Sequence, residues 1–157
     1  MSYYENEYAL GDILPYEQPG PYIVKSIEYD DSYETPVVTP GKSFILGYTD
    51  EKDGIYHNEN RVIIFDDFTT ASRLIDFDFK VKSSAMKILK ISDNSKFNIE
   101  YIYYLLQTVY VNNDTHKRYW ISEYAPIKLK IHKYNEQLKI INYIKRAYGF
   151  LESIDRF

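Results

Sequence analysis

The sequence predicts an α+β domain: a twisted β-sheet with a few helices and a closing C-terminal helix. Three observations carry this. Short segments such as "RVIIF" (61–65) and "RLIDFDFKVK" (73–82) are apolar, or alternate polar with apolar side chains, as strands do. The stretch "NIEYIYYLLQTVYV" (98–111) places Ile99, Ile102, Tyr103, Leu106, Val109 and Tyr110 at helical spacing, with Asn98 available as N-cap. From about Asn135 the chain reads as one final helix.

Taken in order, "ALGDIL" (9–14) is a short helical or turn entry, ended by the cluster Pro15, Pro19, Gly20 and Pro21. "YIVKSIEY" (22–29) and "TPVVT" (35–39) are expected as strands, followed by the turn "PGK" and the strand "SFILGY" (43–48). "DEKDGIYHNEN" (50–60) is a polar loop turning at Gly54. "RVIIF" is a buried strand. In 73–82, Ile75, Phe77, Phe79 and Val81 form an inner face against a polar face of Asp76, Asp78, Lys80 and Lys82, beside Leu74. "AMKILKI" (85–91) continues the sheet, and "RYWISEY" (118–124) and "PIKLKIH" (126–132) are strands or turns. In the last helix Ile140, Ile144, Ala147, Leu151 and Ile154 form one apolar seam, and Ile141, Ile144, Tyr148 and Leu151 an overlapping one. Its length is about 33 Å, and Gly149 weakens its middle by about 1 kcal/mol. The seam either packs on its own domain or docks against a partner helix. The expected division is a domain over 1–134 and a helix over 135–157.

A chain of 157 residues is long enough to bury one real core, and 45% hydrophobic with 27% charged residues is the balance of a soluble globular domain. The absence of cysteine excludes disulfides, thiolate metal sites and cysteine nucleophiles. The acidic start "MSYYENEYALGD" has no apolar core, and no window approaches the roughly 18 apolar residues of a membrane span. The expectation is a cytoplasmic location, or one inside a virion with viral DNA, and no membrane partner. Abundant Tyr, Asn, Lys and Ile indicate an AT-rich genome of origin.

The net charge of −4 hides a segregation. Residues 1–60 hold 12 acidic and 3 basic side chains, net −9; residues 61–157 hold 11 acidic and 16 basic, net +5. Ten of the basic residues fall between Lys80 and Lys133, against four acidic ones. Such a stripe is either a solvated lysine face or a surface for phosphate backbones, because distant acids are screened beyond about 10 Å.

Catalytic signals are weak. Asp66 or Asp67 followed by "DFK" (78–80) imitates the loose layout of a Mg²⁺-dependent nuclease, where acids hold metal and lysine polarises water. In a chain with 23 acids and 19 bases, chance supplies such a match. His57, His116 and His132 are too scattered for zinc, and no phosphate-cradling glycine loop or serine-hydrolase elbow is present. No catalytic residue, metal site or cofactor is expected.

Residues 41–91, with the blocks "LGYTD", "IIFDDFTTAS" and "FKVKSSAMKIL", resemble the target recognition domain of type I restriction-modification specificity subunits. The ordered blocks "LGDIL", "YIYYLLQ", "RYWISEY" and "NEQLKIINYI" extend the resemblance over nearly the whole chain. It implies a protein that reads one half of a bipartite double-stranded DNA target without catalysis, for a separate methyltransferase and endonuclease. Under it Thr69, Thr70, Ser72, Arg73, Lys80, Lys82, Ser83 and Ser84 form a DNA-facing surface, joined by Lys42 and Tyr48. Asp66 and Asp67 orient a loop by accepting backbone N–H bonds, with a cytosine amine as the alternative partner of Asp67. Tyr48, Phe68 and Phe77 are expected in the core more than as stacking platforms.

A complete specificity subunit has two such domains and two long helices, whereas this chain has one domain and one short helix. The resemblance therefore implies a half-subunit or orphan form that pairs as a homodimer through the terminal helix, or docks a methyltransferase subunit there. Where the family often leads into its helix with proline, this chain has "IKLKIHKY". The rival reading is a viral or mobile-element orphan domain, repurposed as a structural or protein-binding component.

Overall fold

The run at 62–65 is apolar without alternation because it is covered on both faces, and the rest of the chain is laid around it. The computed structural model describes residues 2–154. In chain order its elements are β1 (Tyr4–Ala9), α1 (Leu10–Ile13), β2 (Tyr16–Glu17), a 3₁₀ turn at Gly20–Tyr22, β3 (Thr35–Val38), β4 (Ile45–Thr49), β5 (Val62–Asp66), β6 (Ser72–Ile75), β7 (Lys80–Val81) and β8 (Met86–Leu89). Then follow α2 (Ile99–Gln107), a π-helical turn at Trp120–Tyr124, β9 (Lys128–His132) and α3 (Tyr134–Ile154).

Three small sheets replace the expected single one. Their orders are β2-β8-β5-β6, β4-β3-β7 and the antiparallel pair β1-β9. Ile63 and Phe65 of β5 enter one core with Leu10, Ile13, Ile102, Trp120 and Ile131; Val62 and Ile64 enter the other with Val38, Phe79, Val81 and Ile88. The first core lies under α2 and the β1-β9 pair, the second between the two larger sheets.

Helix α2 starts where the Asn98 side chain accepts from the N–H groups of Glu100 and Tyr101 (2.9 and 3.3 Å). It stops at Gln107, earlier than the apolar spacing predicts, because the Thr108 hydroxyl donates to the Leu105 carbonyl (2.7 Å) and closes the turn. The "RYWISEY" segment is a single wide helical turn, driven by Trp120 and Tyr124 packing edge-on against Phe65 (ring centroids 5.1 and 5.0 Å). The start of α3 is fixed by fully buried Gln137, which accepts from Asn98 N–H (2.8 Å) and donates to the carbonyls of Lys96 (2.7 Å) and His132 (2.9 Å). Ile141 is buried, Ile140 and Ile144 are half-buried, Ala147 and Leu151 are exposed, and the Ile154 side chain lies outside the described residues.

Two expected strands do not form, each for a visible reason. Residues 22–29 make isolated bonds only, because the Glu51 carboxylate accepts from Lys25 and Ser26 N–H (3.0 and 3.2 Å) in place of a ladder partner, and Ile27 is exposed. Residues 73–82 are not one strand but β6 and β7 in different sheets. Between them Asp78 binds His57 and Asn58 N–H (2.8 Å each), while the Asn58 amide donates to the carbonyls of Ile75 and Phe77. Unforeseen β1, "YENEYA", pairs with basic β9 so that Glu7 faces Lys130.

Candidate nucleic-acid interface

The registers Phe65↔Ser72, Asp66↔Met86, Val38↔Ile45 and Val38↔Val81 bring three turns to one end of the two larger sheets. They are residues 39–44, 66–72 and 82–85. Loop 109–118 joins them, since Asn113 donates to the Thr69 carbonyl (2.9 Å) and Arg118 Nη1 to the Ser84 carbonyl (3.4 Å). Arg73, whose guanidinium lies over the Phe44 ring (5.3 Å), links β6 to the Gly41 carbonyl (3.5 Å).

The wall carries Lys42, Arg73, Lys82, Lys117 and Arg118, opposed at its surface by Asp66, Asp114 and Glu123, the last paired with Lys117. Between the cations stand the exposed hydroxyls and amides of Thr69, Ser84, Asn112, Asn113 and Thr115. The opposite end, residues 50–60 and 76–79, holds Asp50, Glu51, Asp53, Glu59, Asp76 and Asp78 against Lys52 and the buried ammonium of Lys80. The charge segregation along the chain thus becomes a polarity between the two ends of the sheets.

Asp67 holds the wall together. Its carboxylate, fully buried, accepts from Lys87 Nζ (2.6 Å), Trp120 N–H (2.9 Å) and Arg118 Nη1 (3.3 Å). Its backbone N–H donates to the Ala85 carbonyl, and its carbonyl accepts from Tyr119 N–H. Burial pushes this carboxyl up, but Lys87, Trp120 N–H and Arg118 together outweigh it and hold it below the ordinary range. So oriented, Asp67 is closed to a cytosine amine. Asp66 accepts from Phe68 and Thr69 N–H (2.8 and 2.9 Å) and shapes the turn.

The structure gathers Lys42, Thr69, Thr70, Ser72, Arg73, Lys82, Ser83 and Ser84 on or beside this wall. Ser72 Oγ accepts from Gln107 (2.8 Å), and Ser83 Oγ from Ala85 N–H (3.3 Å). Two expected members are elsewhere. Lys80 is not a surface cation: only 1% exposed, it donates to the Asp53 carbonyl (2.6 Å) and pairs with Glu51 (3.4 Å). That bond ties down the loop in which Gly54 takes φ +62 beneath the Pro21 carbonyl. Tyr48 is withdrawn to the far part of β4, beside Pro36 and Phe77. Phe77 is half-buried against Phe44, whereas Phe68 is 38% exposed on the wall. The nuclease-like set does not converge, because Asp67 and Lys80 are consumed internally and Asp78 lies at the other end.

Sequence reasoning missed loop 109–118, for which the polar run "NNDTHKR" was the available signal. The expected basic stripe also disperses. Lys87 is buried on Asp67, Lys90 pairs with Glu17, and Lys128 and Lys130 face β1.

Thr70 is the one non-glycine residue with positive φ (64°) among those described. A β-branched residue there stores about 1–2 kcal/mol of strain. Thr70→Gly is therefore expected to raise unfolding free energy by about 0.5–1 kcal/mol in urea melts, after the entropy glycine adds to the unfolded chain.

No family model matches the chain. The type I restriction enzyme EcoR124I/EcoR124II specificity subunit of Escherichia coli is 52% identical to it over 126 residues, which is 78% of this chain and 31% of the relative. The chain thus spans about a third of that protein's length. The S subunit of a type I restriction-modification system from M. genitalium has the same fold, with TM-score 0.68 at 15% identity over 94% of this chain and 40% of that one. The HsdS subunit of Thermoanaerobacter tengcongensis gives 0.60 at 12% identity, over 96% and 39%. The fold is the mixed α+β one expected, with a helix at its C-terminal side.

Proposed function

We propose that this chain, which has the sequence and fold of one target recognition domain of a type I restriction-modification specificity subunit, reads part of a double-stranded DNA target and leaves bond-breaking to other chains. The observation that carries this is the wall of turns 39–44, 66–72, 82–85 and loop 109–118. It gathers exposed cations, suited to phosphates, with hydroxyls and amides suited to base edges. The acidic opposite end repels the duplex and so orients it.

Within this reading Lys42, Arg73, Lys82 and Lys117 hold phosphates, while Thr69, Thr70, Ser72, Ser83 and Ser84 lie where bases are read. The exposed flank of α3, with Ala147 and Leu151 beside Tyr104 and Tyr148, is where we place assembly, with a methyltransferase subunit or with a second copy of the chain. No helix among the described residues is long and apolar enough to cross a membrane, and a cytoplasmic place with the DNA is part of the same proposal.

Selection from random-sequence duplexes tests it. Enrichment of one short site is expected, with no Mg²⁺-dependent cutting of the bound DNA. Absence of duplex binding even at low salt would favour the structural or protein-binding role.

A further inference from the structure

Arg118 differs from the other wall cations. Its side chain is 52% exposed, yet it is held on several sides. Nη1 donates to Asp67 Oδ2 (3.3 Å) and to the Ser84 carbonyl (3.4 Å), and the guanidinium carbon sits 5.1 Å from the centroid of the Phe68 ring. Asp67 is itself immobile, because Lys87 and Trp120 N–H take its carboxylate from behind. Phe68 in turn belongs to a turn fixed by Asp66. Among the described residues Nη2–H and Nε–H have no acceptor.

A cation that only neutralises phosphate needs none of this. Lys42 and Lys82 stand exposed on the same wall, with no carboxylate bound to either ammonium among the described residues. Holding a guanidinium by one edge costs side-chain freedom in the free protein. It is useful where a planar donor pair must meet two acceptors at fixed spacing, as O6 and N7 of guanine present them in the major groove. Arg73 also lies over an aromatic ring, but among the described residues its one bond is to a backbone carbonyl and no carboxylate holds it.

We propose that Arg118 is a specificity-determining residue that reads one guanine of the target through a bidentate contact, with Asp67 and Phe68 as its positioning residues. The inference rests on the reading of the chain as a DNA-recognition module. It adds the base, the residue and the device that aims it.

The test compares the wild-type chain with Arg118→Lys and Arg118→Ala in selection from random duplexes, followed by titration of the selected duplex. Both variants are expected to lose about 5- to 150-fold of guanine preference at one position and to leave the others unchanged. Lysine should rescue little, because it lacks the planar fork. Replacing that guanine by 7-deazaguanine should weaken the wild type and leave Arg118→Ala unaffected. Retained guanine preference in Arg118→Ala, or a uniform loss over all sequences with a salt slope flatter by about 1, would show that Arg118 does not read a base and overturn the inference while leaving the DNA reading intact. A wild-type chain that selects no site overturns both. Unfolding midpoints of the variants, with Arg118 half exposed, confirm that loss of preference is not loss of fold.

Discussion

Asp67→Ala is expected to lower unfolding free energy by about 3–5 kcal/mol, the effect of removing one partner from a buried ion pair. Lys87, only 2% exposed, would be left with its charge uncompensated, and Trp120 N–H would lose its acceptor. Chemical denaturation at neutral pH measures this, and a loss under about 1 kcal/mol would mean that Lys87 finds water or another acceptor. The same carboxylate makes stability depend on pH. Its folded pKa is depressed, so its contribution is fully present above the unfolded carboxylate range near 4 and disappears as pH falls through the lower folded value. Glu51 and Glu100 act in the same sense. In each, burial raises the pKa but is outweighed, at Glu51 by Ser26 and Lys25 N–H with Lys80, and at Glu100 by Arg61 and Lys145. Midpoints should therefore fall steeply in acid below about pH 4 and change little from there to neutrality.

Raising salt from 50 to 200 mM is expected to weaken duplex binding by about 150-fold. On the proposed reading, Lys42, Arg73, Lys82 and Lys117 as phosphate contacts give a slope of log affinity on log salt of about −3.6. Removing Lys42 and Lys82 together should flatten the slope by about 2 without changing which site is selected. A wild-type slope flatter than about −1 would mean that the wall does not carry the backbone.

The parts of the fold that were legible are those where local pattern and tertiary burial agree. "RVIIF" has no alternation and is covered on both faces; the helix from Ile99 has its stripe and its cap in the same ten residues. What was not legible depends on partners distant in sequence. Lys80 looks like one more solvent-facing lysine in an alternating strand, and only Glu51 and Asp53, nearly thirty residues earlier, draw it inside. β1 carries two acids in six residues and becomes a strand because β9, more than a hundred residues later, supplies its ladder partner. In the interface, the turn 66–72 announced itself by its polar cluster after an apolar strand. Arg118 did not, since its role depends on the 51-residue separation from Asp67 that folding closes.

The central claim is that one end of this fold, and not the other, meets DNA. An amide chemical-shift map of the chain titrated with its selected duplex tests that directly. Perturbations confined to 39–44, 66–73, 82–85 and 109–118, with residues 50–60 and 76–79 unmoved, are the predicted result; shifts centred on the acidic end or on α3 would contradict it.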